Sequence, residues 1–142
     1  MNFLGIDYGS KRIGLSTGDD ELRFALPLGA ILAETFESVT REIAKIVAER
    51  KIAKIIIGYP LNMNGSIGYK AKEVESFVEK LKKQIAVPII YSDERLSSES
   101  VEDVQKHRSI KNRQFLRKSG IVDSRAATII LQDYFDEHLR DA

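Results

Sequence analysis

Four acidic residues fall where their type and spacing could do chemistry. Asp7 closes an apolar run, FLGID, that otherwise reads as an interior β-strand. Asp93 and Glu94 follow the apolar stretch from Val87 to Tyr91, and Asp123 opens the last helical pattern. A carboxylate at the end of a buried strand either shifts its pKa until it is neutral or finds a compensating charge. In open α/β sheets the working residues gather beyond the C-terminal ends of the parallel strands. If the last helix packs against the first strand, the acids converge there. Two unit charges about 4 Å apart at an effective dielectric near 20 repel by roughly 4 kcal/mol. Hard oxygen ligands without a His or Cys cluster suit Mg²⁺ or Mn²⁺ rather than Zn²⁺. Paired divalent ions on carboxylates suit in-line hydrolysis of a phosphodiester. Asp93 and Glu94 point to opposite faces of one strand end, so at most one faces such a site. Each acid also has a structural reading: Asp7 as acceptor in the turn at Gly9 and Ser10, and Asp123 as a helix N-cap.

Residues able to hold a phosphate backbone surround these acids. Lys11 and Arg12 sit in the turn after the first strand, and Arg95 follows Glu94. Asn62 and Asn64 lie in a loop rich in turn formers, YPLNMNG, and could offer hydrogen bonds to sugar or phosphate. The segment KHRSIKNRQFLRK carries Lys106, Arg108, Lys111, Arg113, Arg117 and Lys118 with no acid among them. The whole chain is nearly neutral at +1, so the remainder is net acidic. Such segregation points to a polyanionic partner, although a solvated loop would read the same way. His107 and His138 are isolated in sequence and read as surface residues.

The elements that must position these residues follow from the apolar periodicity. Residues 2–7 and 12–17 read as strands joined by a tight turn, with Gly18-Asp19-Asp20 as the next turn. Phe24 to Leu32 is a third strand, Pro27 marking an edge or a bulge. Val39, Ile43, Ile46 and Val47 make a helical stripe starting near Thr35. Ala53 to Gly58 is a strand buried on both faces. Val74, Phe77, Val78, Leu81 and Ile85 mark a second helix, and Val87 to Tyr91 a fifth strand. A helix capped by Ser97 or Ser98 runs to about Lys106. A last helix starts near Asp123 and buries Ala127, Ile130, Leu131 and Tyr134. The order βββαβαβαα predicts an α/β fold: a mixed five-stranded sheet, three antiparallel strands then two parallel ones, with helices on both faces.

With 142 residues, 43% of them hydrophobic and 30% charged, the composition suits one globular domain spanning 1–142. No apolar run is long enough to span a membrane, and no basic-then-apolar leader opens the chain. With no Cys, disulfides and thiolate metal sites are excluded. The expected location is therefore cytoplasmic, with no membrane partner. There is no GxSxG, HExxH or GxxxxGK[ST] motif.

Four segments, GIDYGSKRIGLS, IIIGYPLNMNGS, YSDERLSS and IVDSRAATIIL, resemble in order and spacing the signature segments of the YqgF/RuvX family. The resemblance spans essentially the whole chain. It implies a ribonuclease H-like fold and a metal-dependent nuclease, acting either at the 5′ end of pre-16S ribosomal RNA or on Holliday junctions. It also implies that Asp7, the acid of the DER triplet (Glu94 ahead of Asp93) and Asp123 carry the metals and the catalysis. Asn64 and Tyr59 depart from the Asp and Leu frequent in that family. The expected partner is nucleic acid, structured RNA or branched DNA, bound by a monomer or homodimer. Two rivals stay open: a nucleic-acid-binding module that cuts nothing, and an ATP-dependent kinase-like protein, because an Asp-x-Gly turn between strands can also cradle ATP phosphates.

Overall fold

The computed structural model describes residues 1–9, 11–60, 68–93 and 121–138, with side chains of the last helix described from Ser124 onward. Five strands form one sheet in the order β3-β2-β1-β4-β5. They are β1 (Asn2–Asp7), β2 (Arg12–Asp19), β3 (Phe24–Leu32), β4 (Ile52–Tyr59) and β5 (Ile89–Asp93). β1 pairs antiparallel with β2 and parallel with β4, and β4 pairs parallel with β5. Helices α1 (Phe36–Glu49) and α2 (Tyr69–Gln84) cover one face, and α3 (Ile121–His138) covers the other.

The alternation of side chains along β1 sorts the core into two layers. Leu4 and Ile6 join Ile13, Leu15, Ile55 and Ile57 beneath Val39 and Ile43 of α1 and Val74, Phe77, Val78 and Leu81 of α2. Phe3 faces the other way, with Ala25 and Ile56, against Ile130, Leu131, Tyr134 and Phe135 of α3. The expected mixed sheet with helices on both sides is therefore what the chain forms.

β4 is one residue longer at each end than the sequence reading, and three further boundary differences have a visible physical cause. β2 continues through Gly18 to Asp19, because Gly18 is not a turn residue: a Cβ there would lie 2.7 Å from the Phe135 ring. The turn falls after it, at 20–23, where Asp19 accepts from the amides of Glu21 and Leu22 and Arg23 takes a left-handed φ of 56°. β5 starts at Ile89 rather than Val87, since Pro88 has no amide proton and enters only through its carbonyl, which accepts from Ile55 N at 2.9 Å. It then runs on through Ser92 and Asp93. α3 begins at Ile121, so Asp123 is a first-turn residue and not the cap. Pro27 lies on an edge strand opposite the register shift between Leu15 and Ser16. α1 starts as its sequence suggests: Thr35 accepts from Ser38 N at 3.0 Å in a reciprocal capping box. The expected helix after Ser97 lies outside the described residues.

Candidate active site at the C-terminal end of the central strands

Asp7 is the last residue of the central strand and is half-buried. It shares the α3 face with Phe3 and Gly5. Phe3 packs its ring 6.0 Å from Tyr134 and 5.6 Å from Phe135. One step along the strand, Gly5 lies beneath Ala127 and Leu131: a Cβ at Gly5 would stand 2.9 Å from the Ala127 carbonyl oxygen and 2.9 Å from Leu131 Cβ. α3 therefore runs antiparallel to β1, its N-terminal end over the strand's C-terminal end. The next step takes Asp7 about 6.8 Å beyond Gly5 along the strand. The helical equivalent, four residues back from Ala127, is Asp123, about 6.0 Å along the axis in the same direction. The two backbone positions thus advance together to the same level. The Asp123 side chain itself is outside the described residues.

A buried hydroxyl fixes this seating. Ser16, opposite Gly5 on β2, has no solvent exposure and donates to the Ala127 carbonyl at 2.7 Å. The bond anchors the N-terminal half of α3 to the sheet at the turn that follows Asp123. Further along, the Gln132 amide accepts from Ala25 N at 2.9 Å and donates to the Arg23 carbonyl at 2.9 Å, tying α3 to the edge. Neither Ser16 nor Gln132 stands out in the sequence. Their types, a Ser within an apolar strand and a Gln on a helix face, carry no signal until the partners are known.

Across the sheet, Ile6 is level with Ile57, and Ile57 with Tyr91. The next residues are Asp7, Gly58 and Ser92, and all three belong to the α3 face. Gly58 is buried and has no side chain, so nothing projects from β4 between Asp7 and the line of β5, two strand spacings away, about 9.6 Å. Asp93 has Tyr59 as its register partner and shares the α2 face with it, exposed and on the opposite side from Asp7. The alternation that the sequence implied for Asp93 and Glu94 thus sets Asp93 apart from Asp7. Glu94 lies outside the described residues. Among the described residues no three acidic or imidazole groups form a cation cluster.

Of the residues expected to hold nucleic acid, Lys11 and Arg12 are described. Both are exposed at the start of β2, beside the end of β1, and Arg12 lies on the same face as Gly14, the register partner of Asp7. The turn they follow is closed by Gly9, where any Cβ would collide with the Arg12 carbonyl. Asn62, Asn64, Arg95, Lys106, Arg108, Lys111, Arg113, Arg117 and Lys118 lie outside the described residues. Two further cations come from α2. Its first turn holds Lys70 and Lys72 and no acid, and its Gly68 cap makes no side-chain hydrogen bond.

On the α2 face of the same sheet end, Tyr59 donates a short hydrogen bond to Glu75, and its ring lies 4.7 Å from that of Tyr91. The bond to the Glu75 carboxylate, followed by burial, pushes the Tyr59 phenol up to about 12.

Residues 1–137 match the family model described as RuvX: Holliday junction resolvase. The chain belongs to the RuvX family. A relative from Opitutus terrae, named as a pre-16S rRNA nuclease, is 41% identical over 138 residues, covering 96% of this chain and 92% of its own. One from Chloroflexus aggregans with the same name is 38% identical, covering 96% and 94%. Among solved structures, the chain is similar to RuvC of T. thermophilus in complex with a Holliday junction substrate. The TM-score is 0.59 at 14% identity, covering 98% of this chain and 96% of that one. It is also similar to the fowlpox virus resolvase bound to Holliday junction DNA, with a TM-score of 0.51 at 12% identity, covering 94% and 97%. These likenesses, with the strand order described above, establish the ribonuclease H-like fold of this RuvX-family chain. No helix among the described residues is long and apolar enough to cross a membrane, which says nothing of strand-built barrels.

Proposed function

We propose that this RuvX-family chain is a single-domain, cytoplasmic, metal-dependent endonuclease that cuts precursor 16S ribosomal RNA near its 5′ end. The observation that carries the reading is the antiparallel seating of α3 on β1. It advances the backbone of Asp123 level with Asp7, next to the buried Gly58 of β4. The relatives named as pre-16S rRNA nucleases support RNA as the substrate.

Asp7, Glu94 and Asp123 form an all-oxygen donor set, which fits Mg²⁺ or Mn²⁺ and not a thiolate- or imidazole-seeking metal. Those three residues would hold it; Asp93, on the opposite sheet face, is set apart from Asp7. The bound ions supply charge neutralisation and an acidified water at neutral pH. Lys11, Arg12 and Arg95 orient the phosphates on either side of the cut. The uncapped N-terminus of α2, with Lys70 and Lys72, adds positive potential at the same end of the sheet. Asn62, Asn64 and the six cations between Lys106 and Lys118 are the further residues proposed to contact the RNA backbone.

A second reading, resolution of four-way DNA junctions, is favoured by the description of the family model and by the junction-bound neighbours. It requires two cuts made by a homodimer, whereas RNA processing is compatible with a monomer. One experiment separates the readings. Purified protein and Asp7→Asn are each incubated with labelled precursor 16S RNA and a four-way DNA junction, in Mg²⁺, Mn²⁺ or chelator. The expected result is metal-dependent cleavage of the RNA, lost in Asp7→Asn while RNA binding persists. Paired symmetrical cuts in the junction with the RNA intact would select the second reading. Binding without cleavage by the unmodified protein in either metal would reduce it to a binding module.

A further inference from the structure

Asp7 and Tyr8 are consecutive, yet they serve opposite layers: Asp7 shares the α3 face, and Tyr8 packs against the core beneath α1 and α2. Tyr8 there closes one end of a cleft of about 270 Å³ between the start of α1 and the middle of α2. Three rings line it. Tyr8 and Phe77 have centroids 4.9 Å apart at 35°, and Phe36 meets Phe77 edge-on at 6.0 Å and 81°. The polar lining is Glu34, Glu73, Ser76 and Lys80, with the Lys80 ammonium 5.3 Å from the Phe36 centroid.

This lining selects a class of ligand. A purely apolar molecule would strip water from half-buried Glu73 and give nothing in return. A free anion would meet two carboxylates. A flat heterocycle with N–H donors on its edge satisfies both walls: its face packs on the rings, and its amino group donates to a carboxylate. The volume lies just below the usual ~300–1,000 Å³ of pockets for drug-sized ligands, which suits a single ring system. Tyr8, which lines the cleft, follows Asp7 directly in the chain, a Cα step of about 3.8 Å.

We propose that this cleft receives one unpaired nucleobase bearing an exocyclic amino group, from the same strand whose phosphodiester is presented to Asp7. The inference rests on the nuclease reading and adds to it a base-reading subsite on the opposite face of the sheet. A duplex cannot deliver a base there without unstacking it, so the subsite favours cleavage within single-stranded or distorted RNA.

The test uses labelled oligocytidine and oligouridine RNAs of equal length, with an abasic oligomer as floor, in chelator so that nothing is cut. The two bases have the same ring size and differ at the amino-bearing position, and every register along each oligomer is equivalent. Full-length protein is expected to bind oligocytidine about 5- to 100-fold more tightly than oligouridine. The double variant Glu34→Gln, Glu73→Gln should bring that ratio close to one while its thermal unfolding matches the parent. Phe36→Leu should move both oligomers toward the abasic floor. Equal, tight binding of cytidine and uridine oligomers by the parent, or a ratio unchanged in the double variant, would overturn the subsite alone. Binding of no RNA by any form would remove the nuclease reading together with it.

Discussion

Tyr59 donates its phenol proton to Glu75 and packs against Tyr91, and its proton is held far more tightly in the folded chain than in an unfolded one. The folded pKa of about 12 stands above the ordinary value of 10.0. Because the native state retains the proton where the unfolded state releases it, this contribution to stability is complete below pH 10. It is lost as pH rises through 10 to 12. Denaturant titrations across that window should show the parent losing stability more steeply than Tyr59→Phe. A separate phenolate absorbance titration should show one late-ionising tyrosine missing in the variant. Identical pH slopes for the two proteins would deny the Tyr59–Glu75 bond that role. The same scale explains why sequence separates Asp93 from Glu94 only in part. Alternation says that adjacent residues face opposite ways, but only the pairing of Asp93 with Tyr59 says which way is which.

At the level of elements, the seating of α3 is the arrangement on which the site depends, and it is set by a missing side chain. A Cβ at Gly5 would enter the space of Ser16 Oγ, the Ala127 carbonyl and Leu131 Cβ, two of these three being parts of the helix itself. Gly5→Ala should therefore lower unfolding free energy by about 1–3 kcal/mol, as overpacking does. It should also depress metal-dependent cleavage more than RNA binding, since α3 shifts relative to β1. Urea unfolding and the two assays check this, and unchanged cleavage would show the seating to be slack. The strands and helices themselves are legible in the sequence, since apolar runs and 3.6-residue stripes report burial directly. β1 and β3 fall on the residues expected, and the stripe of α3 buries Ala127, Ile130, Leu131 and Tyr134 as its period implies. What escapes is the meeting of the layers. Gly18 looks like a turn because glycine serves turns and close approaches equally well, and only the Phe135 ring above it decides between them. Tyr8 looks like hairpin punctuation, because the cleft it lines is completed, Ile13 apart, by residues 25 or more positions away.

For the whole molecule, the segregation of charge along the chain is what would guide a polyanionic substrate. The formal charge is +1 overall, yet the six cations between Lys106 and Lys118 leave the remainder acidic. A polyanion approaching such a molecule is guided to one region and repelled from the rest. Replacing Lys111 and Arg113 with alanine should weaken RNA binding and flatten its log–log salt dependence by about 1.4, near 0.7 for each single-strand phosphate that is no longer neutralised. Anisotropy titrations over a range of KCl read the slope directly, and an unaltered slope would take this segment out of the binding surface. The base-reading cleft, by contrast, should be nearly indifferent to salt. Affinity and selectivity would then be carried by separate parts of the chain.

For the metal-dependent site proposed above, the glycine beneath the last helix would have one more effect, on the choice of cation. The height of the helix above the sheet determines how far an oxygen on one layer stands from an oxygen on the other. Magnesium closes on its ligands at about 2.0–2.1 Å and calcium at about 2.3–2.6 Å. Ionic selection at the proposed site would thereby be delegated to a residue with no side chain to offer an ion.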